Sequence, residues 1–223
     1  MRDAGIENLR EFTRTLDRLR RYLEYERLAA ISKLYAWWAA AGLLGGGLSL
    51  AASALPASPR TIGALQAAIW LTIAALITRA FAENMSRVEE LSRALSDLEM
   101  PWLKARSRVA AAWVLAFAVG AGLPLAVGRF YHLTWADKLT ISLCPALGLG
   151  NLSNWAVERL KGRDPGREPA IVGAVNLASV PLLLPLDSDV TQYVAMILTI
   201  SLSYAWAGLS YAAKARRVLS GGR

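Results

Sequence analysis

AAAWVLAFAVGAGLPLAVG, residues 110–128, carries no charged or hydrogen-bonding side chain apart from the indole of Trp113. As a helix it would measure about 29 Å, close to the ~30 Å hydrocarbon core of a bilayer. A surface helix of a soluble protein keeps a polar stripe toward water, and this stretch has none. AAIWLTIAALI, residues 67–77, reads the same way. The composition agrees: 55% of the 223 residues are hydrophobic and the mean hydropathy is +0.33. The apolar residues gather into six blocks, at about 29–54, 61–82, 109–128, 138–157, 169–186 and 190–212, joined by short charged connectors. The sequence therefore predicts an all-α polytopic membrane protein, a single integral membrane domain over 1–223 with six transmembrane helices in three hairpins. The fifth block, PAIVGAVNLASVPLLLP, is short and holds three prolines, so a kinked or re-entrant segment is the alternative there.

Charge sets the expected orientation. Of 25 Lys and Arg, eight fall in the first 33 residues, six in 79–108, four in 158–168 and four after residue 212. The other three connectors hold only Arg60, Arg129 and Lys138. Short cytoplasmic loops retain Lys and Arg, which places the protein in the cell membrane as a multi-pass chain with both termini in the cytoplasm. The +8 net charge then reflects topology and attraction to anionic headgroups. Acids interleave with the arginines, so no nucleic-acid footprint is expected. Trp37, Trp38, Trp102, Tyr131, Trp135 and Trp155 lie toward span ends as an aromatic belt would, whereas Trp70 and Trp113 sit deeper and read as packing residues. The charged N-terminus has no apolar signal core.

CPALGLGN, residues 144–151, resembles a phosphate loop at first sight, with Gly148 and Gly150 beside Asn151. Such a loop follows a strand, opens a helix and faces water. This stretch lies inside the fourth apolar block and lacks the full spacing. Small residues that let a neighbouring helix approach closely are the better reading, with Pro145 removing one backbone bond. GAGLP (120–124) and VNLASVP (175–181) carry similar punctuation. Kinked helices of this kind either pack tightly or line a pathway. Asn176 near the centre of its block must face another helix or a cavity. Asn151 and Asn154, three apart, share a helix face. No Asp or Glu lies in the middle of any block, which argues against a proton-coupled pump. Lys33 and Arg79 sit near span ends, where long side chains snorkel. GGG at 45–47 calls for close contact with another helix or a flexible point.

Two segments beside the first hairpin have a different pattern. Leu9, Phe12, Leu16, Leu19 and Leu23 recur at heptad spacing within 6–28, and Val88, Leu91, Leu95 and Leu98 do so within 83–99. Residues 83–99 carry five acids against two arginines, while 10–27 is net basic. The expectation is a short antiparallel coiled coil extending the first hairpin into the cytoplasm. A 6–23 helix lying flat on the membrane is the alternative.

Enzyme chemistry finds little support. There is no H-E-x-x-H and no G-x-S-x-G with a partnered histidine. The single Cys144 excludes an intramolecular disulfide, and with the lone His132 it excludes a Cys/His metal cluster. His132 with Asp137 reads as ordinary interfacial chemistry, and Asp187–Ser188–Asp189 as a polar turn. No catalytic residue, metal or cofactor is expected. Besides the lipid bilayer, the expected partner is a cytoplasmic protein, an ATPase for instance, docked on the paired helices of a translocation, secretion or export subunit. A self-contained oligomeric channel or facilitator is the second reading, with a homo-oligomer as its assembly, and a membrane-embedded enzyme the third.

Overall fold

The computed structural model describes residues 2–94, 106–160 and 165–220. They form six helices and no strand: α1 (Arg2–Ser53), α2 (Pro59–Ala94), α3 (Arg106–Val127), α4 (Trp135–Leu160), α5 (Glu168–Leu183) and α6 (Asp189–Leu219). The chain is thus all-helical over the described residues. Each apolar block falls largely within one helix. Three helical stretches are long and apolar enough to cross a membrane: Glu11–Ser53, Arg60–Asn84 and Asp189–Leu219. Ala111–Val127 and Glu168–Leu183 are shorter apolar helices.

Local chemistry explains several helix starts. Ser58 accepts from the Thr61 amide at 3.2 Å as α2 begins. At α4, Thr134 and Asp137 form a reciprocal capping box, with bonds of 2.9 and 3.2 Å. Ser188 caps α6 through the Thr191 amide. Pro124, Pro145 and Pro181 all lie inside helices, and the helical run continues through each.

The bundle is built around α6, which packs on α1, α5 and α4; α2 lies against α1, and α3 against α4. The α1–α6 contact depends on glycine. Gly42 and Gly46, four apart, lie against Ser201 and Ile197, and Gly208 lies against the α1 backbone at Ser32 and Ala36. Ser32 Oγ donates to the Gly208 carbonyl at 2.8 Å, and Tyr193 Oη to that of Gly46 at 3.3 Å. This is close helix–helix approach by small residues. Gly45 faces the other way and receives Trp70 and Ile73 of α2. The glycine triplet is therefore a double contact, and the helix runs through it without a break. Gly148 and Gly173 lie each against the other's carbonyl across α4 and α5, and Gly150 receives the Trp113 ring of α3.

These contacts also set the register. Gly42–Ser201 and Gly46–Ile197 make α1 antiparallel to α6. Asp137–Gln192 and Asn151–Tyr204 make α4 parallel to it. Glu168–Lys214 and Asn176–Ser203 make α5 antiparallel. Gln66–Ser49 and Gly45–Trp70 pair α2 with α1. Carried along the helices, that register gathers charged side chains at two levels. Asp137, Lys138 and Asp189 lie near the start of α6, and Lys33, Glu83, Arg159 and Glu168 lie within about a turn of Ser210. From Gln192 to Ser210 along α6 is about 27 Å.

If glycine sets the α1–α6 distance, Gly46→Val will lower the thermal unfolding midpoint in detergent by the equivalent of about 1–3 kcal/mol, because its side chain must enter Ile197. Gly47→Ala meets nothing within 4 Å and will leave the midpoint unchanged or slightly raised. Equal destabilisation by both would refute the close-approach account.

Candidate functional site

Polar side chains are buried where α6 meets its neighbours. At the inner core, Tyr35 Oη donates to Asn151 Oδ1 at 3.0 Å, and Asn151 Nδ2 donates to Tyr204 Oη and to the Leu147 carbonyl, both at 2.8 Å. Tyr35 also stacks on Tyr211, with ring centroids 5.6 Å apart. Asn176 is fully buried and donates to the Val172 carbonyl at 2.8 Å and to Ser203 Oγ at 3.3 Å. Its Oδ1 has no hydrogen-bond partner. Ser179 donates to the Asn176 carbonyl.

Both ends of this polar stripe carry an engaged carboxylate. At one end Gln192 Nε2, itself buried, donates to Asp137 Oδ1 at 3.1 Å and to Thr140 at 3.3 Å. Burial pushes the Asp137 carboxyl up, but the bonds from Thr134 and Gln192 outweigh it and the net shift is downward. At the other end Glu168, 4% exposed, receives Ser210 Oγ at 2.5 Å and Lys214 Nζ at 2.7 Å. Burial raises the Glu168 carboxyl, and the Lys214 and Ser210 bonds more than reverse that, leaving it below its ordinary value. Gly166 makes the pair possible: its φ is +75°, and a Cβ there would meet both Glu168 Oε2 and Lys214 Nζ. Tyr211 Oη donates to the Pro165 carbonyl at 2.9 Å, and the Lys214 ammonium lies 5.4 Å from the Tyr211 ring centroid.

The residues singled out from sequence separate into three groups. Pro145, Gly148, Gly150, Asn151 and Asn176 are all buried in helix contacts. Asn154 is half-buried, outside the Asn151 network. Of the heptad residues, Phe12 is 62% exposed, Leu16 and Leu19 are half-buried and Leu23 is buried. The side chains of Leu9, Val88 and Leu91, and Leu95 and Leu98 altogether, lie outside the described residues. His132 is exposed, and Asp137 bonds Thr134 and Gln192 instead. Among the described residues no group of three His, Cys, Asp or Glu is placed to hold a metal ion.

Sequence reasoning missed Tyr35, Tyr204, Tyr211, Gln192 and the Glu168–Lys214 pair. Glu168 looks like a connector residue, and its partners stand 42 and 46 positions away. The chain matches no protein-family model, no curated protein and no solved structure.

The Glu168 bonds form only with the ionised carboxylate at full strength. Because its folded value is depressed, this contribution is present above about 4.5 and is lost as pH falls through the folded value. Thermal midpoints of wild type and Glu168→Gln should therefore differ at pH 7 and converge as pH falls through the folded value. Lys214→Met, which strands the carboxylate, should cost about 1–3 kcal/mol at pH 7, less than a fully buried pair because Lys214 is partly exposed.

Proposed function

We propose that the chain crosses the membrane six times with both termini in the cytoplasm, and serves as a membrane subunit of a translocation, secretion or export machine that docks a cytoplasmic protein through α1 and α2. The reading rests chiefly on the length of α1. Its 52 residues extend about 78 Å, more than twice a bilayer's apolar thickness. The part beyond the inner charged level is an unbroken helix rich in arginine, which no membrane role requires. Phe12 and Tyr22 are exposed on it, and Leu16 and Leu19 only half-covered. An energy source for such a machine has to come from a partner, since nothing in the sequence supplies a nucleotide site; a cytoplasmic ATPase has the required chemistry.

The two charged levels support six crossings. They lie about 27–30 Å apart along α6, the thickness of a hydrocarbon core. The side toward Lys33, Arg159 and Lys214 carries 22 of the 25 Lys and Arg by connector, which marks it as cytoplasmic. Arg79, about a turn inside that level, reaches Glu83 at 2.9 Å, as a snorkelling side chain would. Bonds from α5 to α6 at Glu168 and, about two turns further on, at Asn176 support a crossing by the fifth block despite its prolines.

Topology is testable by single-cysteine labelling of intact cells, with buried Cys144 silent. Ser188→Cys should react with a membrane-impermeant maleimide from outside, and Thr13→Cys and Ser220→Cys only after permeabilisation. Labelling of Ser220→Cys from outside would remove the fifth crossing. For docking, gentle detergent purification from the native cells should recover a stoichiometric cytoplasmic ATPase, and Leu16→Asp with Leu95→Asp should abolish its recovery without affecting insertion. A clean homo-oligomer, or a partner that survives both substitutions, would overturn the docking role.

A further inference from the structure

Three arginines on α1 form a ridge that the bundle does not use. Arg14, Arg18 and Arg21 recur at spacings of four and three, so they fall within about 60° of one another around the helix. All three are exposed. Arg27 pairs with Glu24 at 3.1 Å, but among the described residues no carboxylate pairs with Arg14, Arg18 or Arg21. Arg21 Nε donates to the Asp17 main-chain carbonyl at 3.4 Å. Tyr22, 46% exposed, extends the same side one turn from Arg18, and its ring lies 6.4 Å from that of Tyr25. The ridge lies opposite the apolar seam of Phe12, Leu16, Leu19 and Leu23.

Neither the membrane nor the helix itself accounts for this ridge. Along α1, Arg21 stands about 18 Å and Arg14 about 28 Å from Lys33 at the inner charged level. At physiological salt the field of a headgroup phosphate is screened over ~8 Å. Like charges at spacings of four and three repel along a free helix, and a countercharge removes that repulsion. The flanks say which countercharge fits. Glu11 and Asp17, both exposed, stand on the two sides of the ridge. A polyphosphate laid on the arginines would meet these carboxylates, whereas a protein surface can set acids on the ridge and keep its edges neutral or basic. A second arm at the same depth would bring arginine against arginine. Arginine and tyrosine are also the side chains that dominate protein interfaces.

We propose that this ridge binds an acidic helical face of a cytoplasmic protein, with Asp or Glu carboxylates at three- and four-residue spacing paired to Arg14, Arg18 and Arg21. Helices packed side by side bring two such rows into register. Each guanidinium offers a carboxylate a planar fork of N–H donors. Tyr22 adds apolar area beside the charges. The pairs are open to solvent, so salt weakens the contact and charge steers the encounter. The inference rests on the docking reading and names the chemistry of the partner, which meets charge on the ridge as well as the seam on the other side of the arm.

The test uses a carbodiimide, which joins an amine to a carboxylate in direct contact. In low-salt inside-out vesicles from the native cells, Arg18→Lys should form an amide bond, absent from wild type, to Asp or Glu side chains of one cytoplasmic protein, mapped by mass spectrometry. Adding Arg14→Glu and Arg21→Glu should cut that product at least tenfold. In gentle detergent, Arg14→Glu with Arg18→Glu and Arg21→Glu should lower recovery of the same protein at least tenfold at an unchanged thermal midpoint. Wild type should release it at about 1 M salt, where screening acts over ~3 Å. Where the reversed variant is not monodisperse, Arg14→Gln with Arg21→Gln takes its place with at least a threefold loss. A partner that survives the reversals yet is lost with Leu16→Asp and Leu95→Asp would overturn the acidic contact and leave docking on the seam standing. Crosslinking to a second copy alone, or recovery abolished by nuclease, would overturn the acidic contact as well. No partner in either preparation would overturn both readings.

Discussion

The structure depends on how closely α6 can approach α1. Water drives apolar helices together in soluble proteins, but lipid tails offer a helix the same apolar surroundings as another helix does. What remains is contact at short range and hydrogen bonding across the interface. Gly42, Gly46 and Gly208 supply the first by removing side chains where the backbones meet, and Ser32 and Tyr193 supply the second through the exposed carbonyls. With α1 and α6 fixed, Tyr35 reaches Asn151, so the same contact positions α4. A wider α1–α6 separation would leave the Asn151 amide half-bonded in the core.

The outer helices follow a different economy. α2 and α3 each lean on one neighbour and present most of their surface outward, as Leu71, Leu76, Val114 and Leu115 show. Each is held by an indole against glycine: Trp70 against Gly45, Trp113 against Gly150. A large flat ring over a bare backbone gives much dispersion contact from one side chain. The central four helices, by contrast, combine small residues with polar bonds. Packing alone therefore suffices at the rim, while the centre has both packing and hydrogen-bond specificity.

How far the sequence could be read differs by level. Helix content and position followed from apolar blocks, since a run such as 110–128 has few other structures open to it. Ser58, Thr134 and Ser188 mark helix starts by chemistry confined to four residues. Close approach at Gly148 and Gly150 was legible because small residues in an apolar helix have few other uses. The partners were not legible. Tyr35 and Tyr204 look apolar in a hydropathy pattern, and only the fold shows their hydroxyls meeting one amide. Asn154 shares a broad face with Asn151, but the rotation over three residues leaves it toward the rim. Glu168 was masked by its place beside a connector, and Lys214 by the basic tail. Pairing across tens of residues is set by helix register, which no local pattern encodes.

The path from the N-terminal arm of α1 to the core is mechanically short. Leu28 and Tyr25 of α1 belong to the same packed cluster as Ala215 and Val218 near the end of α6, so α6 supports α1 for about three turns beyond the charged level at Ser210. Below Leu23 that support ends, and Phe12, Leu16 and Leu19 stand on the part of the helix that α6 leaves uncovered. The glycine triplet might have uncoupled this arm from the bundle, but Gly45 and Gly46 are held on opposite sides by α2 and α6. A force applied near Phe12 therefore enters a helix that is continuous to Ser53 and bonded at Tyr35 to Asn151, and through that amide to Tyr204. The Glu168–Lys214 pair closes the same end of α6 onto α5, so displacement of the arm must either carry α5 and α6 with it or break that pair.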